Sequence, residues 1–258
     1  PGQPMASLAA LLDAYDLDPG DVVHVDAGRY ELLDTLTFVH QDSGVRIEGP
    51  SGADAVLDRN NRSSFSGTVS WYAKAIELKD ADDLTLDHLQ VTGSWYGVFA
   101  DNVSDSDRFT LSDCTVWGNR SAGVWLYASN DSAAVSGNTF YGVPGGSDLD
   151  NQNTGMEIAG DDGRIIGNVV RDHAGAGIHV NGLRHLVSGN EVYRNPTGIT
   201  ASSQGTGENR ITVRGNVVHH NVGEYGGTGI NLGAGVLAVG NLVYAQPYGL
   251  LHEATTGS

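Results

Sequence analysis

The dipeptide Gly-Asn recurs through the second half of the chain, in "VSGNTFY", "IIGNVVR", "VSGNEVY", "VRGNVVHHN" and "AVGNLVY". Its glycines, Gly137, Gly167, Gly189, Gly215 and Gly240, are separated by 30, 22, 26 and 25 residues. Each copy runs into two or three apolar positions, then a loop, then a second short motif that opens on glycine: "GMEI", "GIHV", "GITA", "GINL" and "GLLH". Weaker copies, "LTLDHLQV…GVFA" and "FTLSDCTVWGN…GVWL", precede them. A period near 25 residues, with two or three short strands and Gly/Asn corners per period, describes one coil of a parallel β-solenoid. A leucine-rich repeat needs its leucine pattern and a helix per unit, and a propeller blade needs about 40 residues. The asparagines are expected to stack in ladders at the corners, where Asn tolerates left-handed backbone and bonds a neighbour's amide.

The rest of the chain fits this frame. "MASLAALLDAYDL" has apolar residues at helical spacing, which predicts a helix over residues 5–15 that caps the N-terminal end of the stack. The 36 glycines carry no collagen period and point to many tight turns. No linker divides the 258 residues, so one all-β domain of about ten coils is expected over residues 1–258, excised from a larger secreted protein. Fourteen Lys and Arg stand against 31 Asp and Glu, a net charge of −17, which disfavours nucleic acid as a partner. No apolar run is long enough to span a bilayer, so membrane insertion is not expected. The single cysteine, Cys114, rules out an internal disulfide framework and falls where other coils place the corner asparagine, so it reads as a packed thiol.

"GDVVHVDAGRYEL" followed by "GVRIEGPSGADAVLD", together with the Gly-Asn coils, resembles the pectin-lyase-like right-handed parallel β-helix superfamily. The resemblance covers nearly the whole chain and implies the fold. It leaves function open, because that fold hosts lyases, hydrolases, epimerases, adhesins and passive surface modules.

Alternation along a strand sorts the side chains. Reading each motif as Gly-in-out-in-out puts Val98, Ala100, Val124, Leu126, Met156, Ile158, Ile178, Val180, Ile199, Ala201, Ile230 and Leu232 inside. One outward column then runs Phe99, Trp125, Glu157, His179, Thr200, Asn231, and a second runs Asp101, Tyr127, Ala159, Asn181, Ser202, Gly233. Glu157 and His179 become neighbours about 4.8 Å apart along the stack. Phe99, Trp125 and Tyr127 beside them form an aromatic surface of the kind that sugar C–H faces stack on. Asn181 and Asn231 supply hydrogen bonds.

The longest regular coil inserts "VPGGSDLDNQNTG", residues 143–155, ahead of Glu157. Insertions in solenoids collect on the binding face. Asp150 would overhang the pair, and Asp148 and Asp150 with loop carbonyls are candidate calcium ligands. No organic cofactor motif is present. The corner "RDHAG" is expected to bring Arg171 to the same edge.

The expected partner is therefore a polysaccharide or cell-surface glycan, with neighbouring domains of the parent protein, in an extracellular or cell-surface bacterial setting. Enzymatic and non-catalytic readings both stand. The resemblance implies, for a lyase or epimerase acting on a uronate, His179 as acid or base tuned by Glu157, and Arg171 as carboxylate clamp. An inverting hydrolase would use Glu157 and Asp150. "GDDG" at 160–163 followed by "GIHVNG" is similar to the aspartate pair and histidine of polygalacturonase-type hydrolases, but Asp161 and Asp162 fall at a corner. The Arg-x-Lys element, the Asp-Pro-His motif of alginate epimerases and the arginine pattern of calcium pectate lyases are not recognisable. That favours the alternative of a spacer, adhesin or glycan-binding module.

Overall fold

A computed structural model describes residues 7–60, 72–143, 151–224 and 226–252. The chain winds through three parallel sheets of nine strands each, visiting the sheets in turn once per coil. Among the described residues this makes nine coils, close to the ten or so expected. The long intervals between Asp58 and Lys74, and between Tyr141 and Thr154, make two of these coils longer than the others.

The register follows the alternation of apolar residues. Val124 pairs with Val98 and Met156, and Met156 pairs with Ile178. Every inward position named above is buried: all are 0% exposed except Leu232, at 4%. Each buried Val, Leu, Ile or Met side chain among them contributes about 1.5–3 kcal/mol.

Polar groups at the corners make three ladders. Between the first and second sheets run Asn138, Asn168, Asn190, Asn216 and Asn241. The backbone N–H and Nδ2 of each donate to Oδ1 of the next, at 2.9–3.0 Å. Here the left-handed residue is the glycine, as at Gly137 with φ 69°, rather than the asparagine, whose side chain is freed to turn inward. Cys114 takes the next place in this ladder. Its N–H donates to Asn138 Oδ1 at 2.8 Å, and burial pushes its thiol up to about 12.

The second-to-third-sheet corner holds Asn119, Gln152, His173, Asn195, Asn221 and Gln246. The third corner is acidic. Asp107, Asp131 and Asp161 each donate a backbone N–H to the aspartate one coil earlier, at 2.7–2.8 Å. Part of the acidic excess is thus structural, and Arg108 and Arg184 offset it by bridging Asp82 to Asp83 and Asp161 to Asp162.

The helix spans Leu8–Ala14 and is the only α-helix among the described residues. The Ser7 side chain caps it by accepting from Ala10 N–H. Leu8 is buried, and Leu11 and Leu12 pack against the core, closing the N-terminal end.

Candidate functional site: one wall of the third sheet

The third sheet includes strands Lys74–Lys79, Tyr96–Ala100, Ala122–Leu126, Thr154–Ile158, Ala176–Asn181, Thr197–Ser202 and Thr228–Leu232. Their register aligns Phe99, Trp125, Glu157, His179, Thr200 and Asn231 in one outward column. Glu157 Oε2 lies 3.5 Å from His179 Nδ1, with the two side chains 20% and 31% exposed. Both are wet enough to reach a ligand, and neither is buried without a partner. In the second column Asn181 pairs with Ser202. These two residues also line an open cleft of ≈ 450 Å³ with Gly182, Leu183, Ser203 and Gln204.

The aromatic rings gather on the N-terminal side of the pair. Trp125 and Tyr127 are 5.9 Å apart, Phe99 and Tyr127 6.0 Å. Tyr96 buttresses the group, 4.9 Å from Phe99 and 5.6 Å from Trp125. The rings are mutually tilted, so much of their area packs on one another, and Tyr127, 39% exposed, is the most open of them to solvent. Burial raises the Tyr127 hydroxyl pKa, and Tyr96 and Glu157 add to the effect, so the hydroxyl stays a neutral donor.

The column continues one strand further than the glycine motifs indicate. Glu77 pairs with Phe99 and Lys74 with Tyr96. Glu77, 9% exposed, receives Lys74 Nζ at 2.9 Å and Lys79 Nζ at 3.3 Å. Lys74 also lies over the Phe99 ring, 4.9 Å from its centroid. These are the only lysines of the chain. The signal for them was the alternation in "KAIELK", which lacks an opening glycine.

Arg171 is not on this wall. It ends a strand of the second sheet, between Tyr141 and Tyr193. Its guanidinium donates to Asp172 at 2.6 Å and lies 4.6 Å over the Tyr141 ring. The corner comes after Arg171, so the side chain belongs to the preceding face. Asp148 and Asp150 lie outside the described residues. Asp161 and Asp162 fall at the third corner, as their spacing suggests.

Among the described residues one trio of metal-capable groups, Asp87, His88 and Asp113, has ligand atoms within 4.8 Å of one another. It occupies the first-to-second-sheet corner, away from the wall. Asp87 is already engaged by Arg46 at 2.5 Å, Ser112 at 2.5 Å and His88 at 2.8 Å. Burial raises its pKa, but these donors outweigh burial and hold it below the usual carboxylate value.

Similar folds occur among solved structures. Pectate lyase Pel9A superposes with a TM-score of 0.66 at 15% identity, over 97% of this chain and 73% of its own. An alginate lyase from Paenibacillus sp. str. FPU-7 gives 0.57 at 14%, over 96% and 95%. The periplasmic alginate epimerase AlgG gives 0.55 at 14%, over 92% and 66%. At such identities the likeness is one of fold. No curated protein sequence matches the chain. The profile of the family described as "Right handed beta helix region" matches residues 22–147 and 96–257, and the protein belongs to that family.

Proposed function

We propose that the outward wall of the third sheet binds a polysaccharide chain laid along the stack, with Glu157 and His179 at its centre. The observation that carries this reading is the placement of one proton-transfer pair directly beside an aromatic cluster, in a single register column. Rings at Phe99, Trp125 and Tyr127 offer apolar area to sugar faces. His179, Asn181, Thr200 and Asn231 offer donors and acceptors on the other side. A sugar chain following the column would meet a new side chain about every 4.8 Å.

Chemistry at the pair would be proton transfer. Glu157 orients the His179 imidazole, so that His179 acts as base or acid toward a bound sugar. The similarity in fold to pectate and alginate lyases and to an alginate epimerase makes uronate chains the first substrates to try.

A second reading, a binding module without catalysis, is favoured by two observations. Arg171 does not reach the wall, and Lys74 and Lys79 are both paired with Glu77, leaving no strong carboxylate clamp beside His179 among the described residues. The protein is taken in both readings as an extracellular module with neighbouring domains, which fractionation of the source cells would check.

The deciding experiment incubates the protein with pectate, alginate and neutral glucans. Ultraviolet absorbance follows unsaturated uronates, a reducing-sugar assay follows hydrolysis, proton NMR follows C5 inversion, and affinity electrophoresis follows binding. Binding with product supports the enzyme, binding without product supports the module, and no binding to any glycan removes the reading.

A further inference from the structure

The outward face of the second sheet carries a different column. Trp117, Tyr141, Arg171, Tyr193, His219 and Tyr244 occupy one register position in successive coils. Flat groups in this column stack in two runs, Trp117–Tyr141–Arg171 and Tyr193–His219–Tyr244. Trp117 and Tyr141 are 5.8 Å apart and 3° from parallel, and Tyr193 and His219 are 4.9 Å apart and 6° from parallel. His219 is held on its other side by Tyr244, at 5.1 Å and 13°. The imidazole is thereby clamped between two phenol rings, and only its edge remains for other partners.

That edge is fully assigned. Nε2 lies 3.3 Å from Glu191 Oε1 on the preceding strand. A carboxylate only accepts, so Nε2 carries the proton of the neutral ring and Nδ1 keeps its lone pair. Nδ1 of His219 lies 2.8 Å from Nδ1 of His220. Adjacent residues of a strand point to opposite faces. These two meet because His220, with φ 53°, is the left-handed residue of the corner and turns its side chain back.

We propose that His219 and His220 form a chelating site for a late first-row divalent ion, with Cu(II) the best fit. The reason is the spacing of the two Nδ1 atoms. The 2.8 Å separation is that of the hydrogen bond between the two rings in the metal-free protein; it brings two imidazole donors within reach of one ion, and the affinity of nitrogen sites rises along the first-row series to Cu(II). Glu191 on Nε2 of His219 supplies the outer carboxylate that fixes the tautomer and raises the basicity of a metal-bound imidazole. Without the ion, Nδ1–H of His220 donates to Nδ1 of His219. On binding, that proton moves to Nε2 of His220, which is exposed, so both rings stay neutral and water completes the coordination. The site lies on a different sheet from the glycan wall and does not depend on it.

The test titrates the full chain with Cu(II) alone, read by calorimetry and by electron paramagnetic resonance. One equivalent with two-nitrogen hyperfine structure is expected, and it should be lost in H219A/H220A. E191Q should bind about 10–100-fold more weakly. Because His219 belongs to the stack, H220A alone serves as the second variant. His220 is exposed, its replacement should leave the circular dichroism unchanged, and it should still remove the two-nitrogen signal. Copper binding of equal strength and spectrum in wild type and H220A would overturn the site, as would Zn(II) binding more tightly than Cu(II).

Discussion

Glu157 and His179 hold the same register position in adjacent strands, with Oε2 and Nδ1 3.5 Å apart at the edge of an aromatic cluster. The pair is part exposed and solvated, so as a structural ion pair it contributes only about 0–1 kcal/mol. Removing it should therefore leave the fold intact. His179→Ala should keep the wild-type melting temperature within a degree or two. If the wall is catalytic, turnover on the responsive glycan should fall about 10²–10⁴-fold with little change in affinity. If it only binds, affinity alone should drop.

Trp125→Ala removes apolar surface from the proposed platform. Affinity for an oligosaccharide should fall by about 1–3 kcal/mol, measured by calorimetry, if one sugar face is buried there. An unchanged affinity would place the glycan elsewhere or nowhere.

The register itself is tested one strand over. Ile178 is 0% exposed and Asn181 is half-buried at the outer surface. Ile178→Asp buries an unpaired carboxylate and should abolish cooperative folding, while Asn181→Ala should stay folded. Equal thermal melts for the two would mean that the inward and outward faces are exchanged.

Asn190 is tied on both sides. Its Oδ1 accepts the N–H and Nδ2 of Asn168 at 2.9 and 3.0 Å, and its Nδ2 donates to Ile165 O and Asn216 Oδ1 at 2.9 Å. Each buried group left without a partner costs about 1–3 kcal/mol. Asn190→Ala should lower the denaturation midpoint markedly, whereas Asn102→Ala, at an exposed turn, should not.

His173 replaces the amide in the second ladder. Its Nδ1–H donates to Gln152 O at 3.2 Å, and burial lowers its pKa to about 4. The unfolded chain, with a histidine near 6.5, binds the proton first on acidification. Stability tied to this group is therefore present at neutral pH and is lost as pH falls from about 6.5 to about 4, by about 3 kcal/mol in total. His173→Asn restores an amide like those of its neighbours and should flatten that part of the urea-midpoint profile. A wild-type profile flat over the same interval would contradict the assignment.

The wall from Phe99 to Asn231 was legible in the sequence because two periods fix it. Alternation decides which side chains leave the core, and the spacing of glycine motifs decides which strands are neighbours. Glu77 and the two lysines escaped the same reading because "KAIELK" has no glycine to align on.

Arg171 shows where the periods stop. Side-chain direction at a corner depends on which residue takes the left-handed turn, and Asp172, with φ 63°, takes it one place later. That leaves Arg171 on the second sheet, stacked on Tyr141. The encounter of His219 with His220 and the stacking of His219 between Tyr193 and Tyr244 have the same origin. The sequence determined the coil, its inward set and its outward columns, since these follow from local periodicity and the exclusion of apolar groups from water. Only the tertiary structure decided which face each corner residue joined and which distant side chains met there, because those outcomes depend on backbone turns and on contacts between coils 22 to 33 residues apart.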